Sequence, residues 1–337
     1  MNKIYLAREI DAILKKIDIS RLSGKVGIKV HFGEKGCTTY ISPDLVKSVY
    51  DFLEGKGFDV ALIECNVLYK GSRNNSTDHI VVAKEHGFGF GKIDILDGEM
   101  GDEYIEEPFE GKHFDNVKIG KGYDKYDSIV VLSHFKGHGL AGFGGALKNL
   151  GMGLASRAGK LELHSRVAPS VNSSHCIGCQ KCVQGCDFGA IDMVDGKAVI
   201  NPEKCTGCAM CISVCPTGAV QIPWGKFGGR EIQEKISEYT KGMINRIREK
   251  NIVYLNVLKN ITGNCDCVGA EQEIIVKDIG ILLGDDIVAI EQASLDLVKK
   301  QGGDVFEEAN STENAYFAEY AEEIGMGIRE YELVELE

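Results

Sequence analysis

The chain has no apolar run approaching the ~20 residues that a bilayer-crossing helix needs, and none at its start that reads as a signal peptide. It has no excess of positive charge. Against 50 Asp and Glu there are 38 Lys and Arg, a formal net charge of −12. That balance argues against a general nucleic-acid binder, because phosphate neutralisation supplies most nonspecific affinity. Neither common nucleotide signature is present: the chain has no Walker A ending in Gly-Lys-Ser/Thr, and no Gly-x-Gly-x-x-Gly at a strand–helix joint.

What the chain does have is cysteine, twelve in 337 residues. Two copies of one pattern stand in succession: Cys176-Ile-Gly-Cys179-Gln-Lys-Cys182-Val-Gln-Gly-Cys186 and Cys205-Thr-Gly-Cys208-Ala-Met-Cys211-Ile-Ser-Val-Cys215-Pro216. This is the bacterial ferredoxin spacing, in which three thiolates wrap one iron–sulfur cube and the fourth crosses to the other. It predicts two [4Fe–4S] clusters, one on Cys176, Cys179, Cys182 and Cys215, the other on Cys205, Cys208, Cys211 and Cys186. Zinc is the rival metal, but its four-ligand sites need only two CxxC pairs, which eight cysteines exceed. Asp187 stands where the second copy has Pro216, a departure that removes no ligand. Residues 191–200 alternate around Asp195-Gly196, a two-residue hairpin signal. Eight cluster thiolates plus Cys37, Cys65, Cys265 and Cys267 suit a reducing cytoplasm.

At 337 residues the chain is too long for a bare ferredoxin. Residues 1–20 read as an amphipathic helix, followed by a strand over 26–32. Ser42-Pro43-Asp44 starts a helix with Pro43 in its first turn. Strands are expected at 58–64 and 93–96, with a helix at 78–86 between them and a central strand at 127–133. A long helix over 230–250, strands at 252–258 and 278–283, and helices at 287–300 and 312–324 follow. The alternation predicts an α/β fold, a mostly parallel sheet with helices on both faces. A small two-cluster ferredoxin-like α+β insert interrupts it. The expected division is 1–168, the insert 169–224, and 225–337, with Trp224 closing over the junction.

After the central strand comes His134-Phe-Lys136-Gly-His138-Gly-Leu-Ala-Gly142-Phe-Gly144-Gly145-Ala-Leu-Lys148-Asn149-Leu-Gly-Met-Gly153. Its glycines read either as a tightly packed structural loop or as a place where backbone amides approach a ligand. In an acidic chain, the bunching of His134, Lys136, His138 and Lys148, with Arg157 and Lys160 just beyond, points to a carboxylate or phosphate. His134, His138 and Lys148 are the candidate catalytic groups, able to transfer protons near neutral pH. Lys136, Gly142, Gly144, Gly145 and Asn149 are the candidate ligand-binding positions. Cys265 and Cys267 read as a further metal site, a redox thiol pair or simple packing. His31, Glu64, His134 to Lys148, Cys265 to Cys267 and Asp285 to Asp286 all follow predicted strands, where ligands of open α/β sheets bind.

These blocks, with Ile28-Lys-Val-His31-Phe-Gly-Glu-Lys35, Ser133-His-Phe-Lys-Gly-His138, Cys265-Asp-Cys267 and Asp278-Ile-Gly-Ile, give a resemblance covering nearly the whole chain. It resembles the iron–sulfur centre proteins of the domain-of-unknown-function family numbered 362. The sequence departs from their pattern at Ile287, where similar proteins have proline, and at Glu291, which replaces an aspartate. The resemblance implies an α/β protein carrying a two-cluster module for redox chemistry, with no reaction assigned. The leading expectation is therefore an oxidoreductase passing single electrons through the clusters to a small anionic substrate or cofactor, with an electron donor or acceptor protein as partner. An electron carrier or assembly subunit is one alternative. A nonredox isomerase or transferase with structural clusters, distantly similar to nickel-pincer racemases, is the other.

Overall fold

The protein is described from a computed structural model covering residues 2–165, 168–224, 228–247 and 251–337. Eight strands form its main sheet: β1 (Asn2–Ala7), β2 (Lys25–Lys29), β3 (Asp59–Glu64), β4 (Ile93–Ile95), β5 (Ser128–His134), β6 (Ile252–Leu258), β7 (Gly280–Gly284) and β8 (Tyr331–Glu335). Their order across the sheet is β8-β1-β7-β6-β5-β2-β3-β4. Every neighbouring pair is parallel except those made by β7, which runs against both β1 and β6. The sheet is therefore mixed, the α/β architecture expected with one strand reversed.

The central strands read as apolar runs because both faces are covered. Ile129 and Val131 of β5 point into one core, Val130 and Leu132 into the other. On the first face pack α3 (Ala146–Gly151), the long α5 (Gly229–Ile247), α6 (Ile287–Gly302) and α7 (Ala315–Glu323), through Leu147, Ile236, Tyr239, Met243, Ile290 and Phe317. On the second packs α1 (Pro43–Gly55), through Val46, Val49 and Leu53. Residues 248–250, the end of the long helix expected from the sequence, lie outside the described residues, as does residue 225 at the second expected boundary.

The opening segment differs from the amphipathic helix expected there. Residues 2–7 form a strand and only Ile10–Leu14 is helical. Pairing with β7 on one side and β8 on the other satisfies the backbone of a segment whose isolated pattern favours a helix.

The segment 170–221 forms short ribbons and short helices apart from the main sheet. Strands Ser170–Val171 and Val220–Gln221 pair and bring its ends together. The hairpin over residues 191–200 forms as predicted, with Asp195 at φ 50° and Gly196 at φ 72°, the left-handed pair that a tight two-residue turn demands. Two short helices, Lys181–Gln184 and Met210–Val214, follow left-handed Gln180 and Ala209 at equivalent places in the repeat. The expectation of a two-cluster ferredoxin-like module is corrected: among the described residues, no group of three or more His, Cys, Asp or Glu side chains is arranged to hold a metal ion.

The reversed β7 has one more consequence. Its carboxyl end lies at the edge of the sheet opposite to those of β2, β3, β5 and β6, so Asp285 and Asp286 stay away from the other strand-end residues. Asp286 instead caps α6, its Oδ1 accepting from Val288 N and Ala289 N, and its Oδ2 from Asn2 and from Ile328 N. Asp286→Ala is expected to cost about 1–2 kcal/mol, read as a lowered urea midpoint at unchanged slope, while leaving ligand binding at the other edge intact.

Candidate functional site

The sheet order reverses between β2 and β5, and a crevice opens at their carboxyl ends, as open α/β sheets provide. A cavity of about 300 Å³ sits there. His31 and Glu64 come to it from the ends of β2 and β3. Lys136 and His138 come from the segment after β5, Lys148 and Asn149 from α3, and Cys265 and Cys267 from the loop beyond β6. Arg73, Lys160, His164 and Trp224 complete the polar and aromatic lining.

A buried ion pair ties the floor together. Lys29 Nζ lies 2.9 Å from Glu64 Oε1 and donates to Asn149 Oδ1 at 2.7 Å. Asn149 Nδ2 in turn donates to Leu132 O and Ser133 Oγ of β5. The remaining Glu64 oxygen, Oε2, is buried without a partner among the described residues. Asn149 thus fastens α3 across β2 and β5, which fixes where Lys148 points.

Two glycines of the expected ligand loop are required by packing. A Cβ on Gly137 would stand 2.1 Å from Gly263 O, and one on Gly145 would stand 2.2 Å from Glu291 Oε1. Lys136–His138 pairs with Gly142–Gly144 as a small antiparallel ribbon. Gly144 and Gly145 line the cavity, whereas Gly142 is packed against Asn314 outside the lining.

His134 also lies outside the lining. Its Nδ1 faces the Asp266 carboxylate at 2.9 Å, and its Nε2 faces Lys259 O at 3.0 Å and Asn260 O at 3.2 Å. All of these partners are acceptors. Lys136 approaches the same carboxylate at 3.4 Å. Burial opposes the Lys136 charge, but Asp266 and the nearby thiols outweigh it and raise its pKa. Burial would raise Asp266, yet His134 and Lys136 hold it well below the ordinary carboxylate range.

The lining imidazoles are kept neutral. Burial, then the charges of Lys148 and Lys136, hold His138 well below its usual pKa. Burial and Lys148 push His164 down to about 3. Burial and Arg73, whose Nη1 is 3.2 Å from the ring's Nε2, do the same for His31. His138 Nδ1 accepts from Ala141 N at 3.1 Å, so its proton sits on Nε2. His164 Nδ1 has no partner among the described residues, and Trp224 packs edge-on against the ring.

At the back of α3, Glu291 Oε1 accepts from Ala146 N at 2.5 Å and from Asn256 at 3.0 Å. Burial pushes its carboxyl up to about 7. The retained acidic group is therefore a cap for the helix that carries Lys148.

The eight repeat cysteines fall into two sets around two small cavities. Cys176, Cys179, Cys182 and Cys215 line one, and Cys186, Cys205, Cys208 and Cys211 line the other. Each cavity holds about 20 Å³, room for roughly one water. Burial raises the thiols of Cys182 and Cys208 and pushes Cys211 up to about 12, whereas backbone hydrogen bonds lower that of Cys176 and, against burial, that of Cys215. With no metal-holding group among the described residues, the expectation of two [4Fe–4S] clusters does not fit these side chains. The same finding corrects the readings built on it: the iron–sulfur centre, the metal-binding insert and the cluster-wired oxidoreductase.

Sequence reasoning missed Arg73, His164 and Glu64's orphan oxygen as parts of one site. His164 had a readable signal, four residues after Lys160 on one face of Arg157–His164. Arg73 had none, because its place follows from the packing of residues 67–73 against Glu34 and Tyr69.

The model of a domain of unknown function, DUF362, matches residues 26–296. The chain belongs to that family. No curated protein matches it. Among solved structures, a Thermotoga maritima protein is similar at 10% identity and a TM-score of 0.45, over 90% of this chain and 58% of that one. The lactate racemase apoprotein from Thermoanaerobacterium thermosaccharolyticum is similar at 12% identity and a TM-score of 0.39, over 76% of this chain and 50% of that one. The chain thus spans only about half the length of each, and at these scores neither likeness speaks to chemistry.

Two measurements check the site. Lys29→Met is expected to cost about 3–5 kcal/mol in chemical unfolding, because it strands the Glu64 charge, and a Lys29→Met/Glu64→Leu pair should recover most of the loss. Glu291, whose folded pKa is raised, favours the fold below its unfolded value, and that benefit fades as pH rises from about 4.5 to about 7. Glu291→Gln should therefore flatten the stability–pH curve over that window, by an amount on the order of 3 kcal/mol.

Proposed function

We propose that the chain is a nonredox enzyme, an isomerase or transferase, that holds a small anion in this cleft and moves a proton on it. One observation carries the reading. Lys148 and Lys160 line the cavity, and among the described residues neither has a carboxylate within ion-pair distance, in a chain with a large excess of acid. Ammonium groups with no carboxylate partner at a cleft favour an anionic ligand.

The neighbouring groups supply the chemistry. His138 presents an Nε2–H to donate, while His164 has an unpartnered Nδ1 on the same wall. Two neutral imidazoles in these states can give a proton to a bound anion and take one from it. Lys148 holds the negative charge that develops as the proton moves. His134 acts through Asp266, orienting the carboxylate that compensates Lys136, and is a positioning residue in this reading. Lys136, Gly144, Gly145 and Asn149 form the walls against which the ligand seats.

No helix among the described residues is long and apolar enough to cross a membrane. We place the protein in a reducing cytoplasm, a setting that keeps the twelve thiols, all unpaired, in that form.

The test uses whole protein and a panel of small carboxylates and phosphate. A ligand at 100 times its Kd should raise unfolding free energy by about 2.7 kcal/mol, and Lys148→Met should abolish the gain. In D2O, an accepted carboxylate should take up solvent deuterium without changing oxidation state, equally in chemically oxidised and reduced protein. His138→Gln should slow that exchange by about 10²–10⁴. Turnover that appears only after reduction would remove the nonredox reading.

A further inference from the structure

The loop beyond β6 puts a second kind of reactive group into the cleft. Cys265 and Cys267 both face the cavity, with Asp266 between them turned inward to His134 and Lys136. Cys265 is buried, and Lys148 Nζ is 3.5 Å from its sulfur. Gln272 donates to its carbonyl, and Asp266 O accepts from Glu34 N, so the backbone on which the thiol rides is fixed. The orphan Oε2 of Glu64, on a residue nine-tenths buried or more, lies on the lining of the same cavity and marks it as incomplete without a hydrogen-bonding ligand.

We propose that Cys265 is a nucleophile that takes an acyl group from a small, negatively charged acyl donor bound in this cleft. This deepens the transferase side of the reading above and rests on its anion site. The sulfur attacks the acyl carbon and forms the new S–C bond. The bond from that carbon to the leaving group breaks, its electron pair departing with the leaving group as an anion beside the cleft lysines. The thioester formed is returned to an acceptor by the reverse step, and no oxidant or reductant is consumed. Lys148 stabilises both the attacking thiolate and the negative charge of the donor, which explains why an ammonium here is matched with sulfur rather than with a carboxylate.

The electrostatics agree with that placement. A hydrogen bond from Cys267, then Lys148 and Lys136, hold the Cys265 thiol well below its ordinary pKa, against burial and Asp266. Cys267, the donor in that bond, is raised. Cys65, on the same lining, is driven up by burial and stays a neutral thiol. The cleft thus holds an internal contrast, one activated sulfur and one inert.

The experiment is alkylation of native, reduced protein by iodoacetate and by iodoacetamide, scored per cysteine by peptide mass spectrometry across pH 6 to 9. Cys265 should be carboxymethylated first, at least about tenfold faster by the anionic reagent than by the neutral one, with the rate persisting at pH 6, where ordinary thiols fade. Lys148→Met should abolish the preference for the anion. Cys267→Ala should move the pH midpoint of the reaction upward. The proposal fails if Cys265 reacts no faster than Cys65, or shows no preference for iodoacetate, or keeps that preference in Lys148→Met. Thermal shift with phosphate on the same samples separates the two readings. A shift without selective alkylation leaves the anion cleft standing and removes the nucleophile, and absence of both removes the cleft itself.

Discussion

The contact between Lys29 and Glu64 governs the arrangement of everything around it. Both side chains are almost fully withdrawn from water at the ends of adjacent parallel strands, where an unpaired charge would be costly. Their pairing, shared with Asn149, fixes the spacing of β2 and β3 and anchors α3 over the crevice. The position of Lys148 follows from that anchor, while Cys265 is brought to it by a loop held through Gln272 and Glu34. Without it the glycines before α3 would have no reason to approach Gly263 and Glu291 as closely as they do.

Much of the framework was legible in the residues. The apolar runs at 129–132 and 252–255 announced strands covered on both faces, Pro43 marked a helix start, and Asp195-Gly196 marked a hairpin. The direction of β7 was not legible, because a short apolar run looks the same in either orientation. Asp285 and Asp286 were grouped with the cleft on that account, and the reversal moves them to the opposite edge. Residues 2–7 were misread for a related reason: pairing partners nearly the whole chain away outvote a local pattern.

The candidate site was legible in part. Strand ends suggested His31, Glu64, Lys136, His138, Lys148, Cys265 and Cys267, and these residues line one cavity. His134 was grouped with them by proximity in sequence, but Asp266 captures it behind the wall. The cysteine repeat shows the limit of spacing as an argument. Spacing sorts the eight thiols into two sets, and the folded chain lines two cavities with those sets. Spacing carries no information on how far each sulfur is withdrawn from water: burial raises Cys182 and Cys211, while hydrogen bonds lower Cys176 and Cys215.

Residues 68–73 contact the thiol-rich segment and the cleft at once. Leu68 packs into the segment's small core, and Lys70 donates to Pro216 O. Tyr69 donates to Glu34 and Cys267 O, and Arg73 grips Glu34 and Tyr69. Six residues of backbone therefore bridge the thiol-rich segment and the rim of the crevice, so the placement of one against the other is held by a single short stretch of chain.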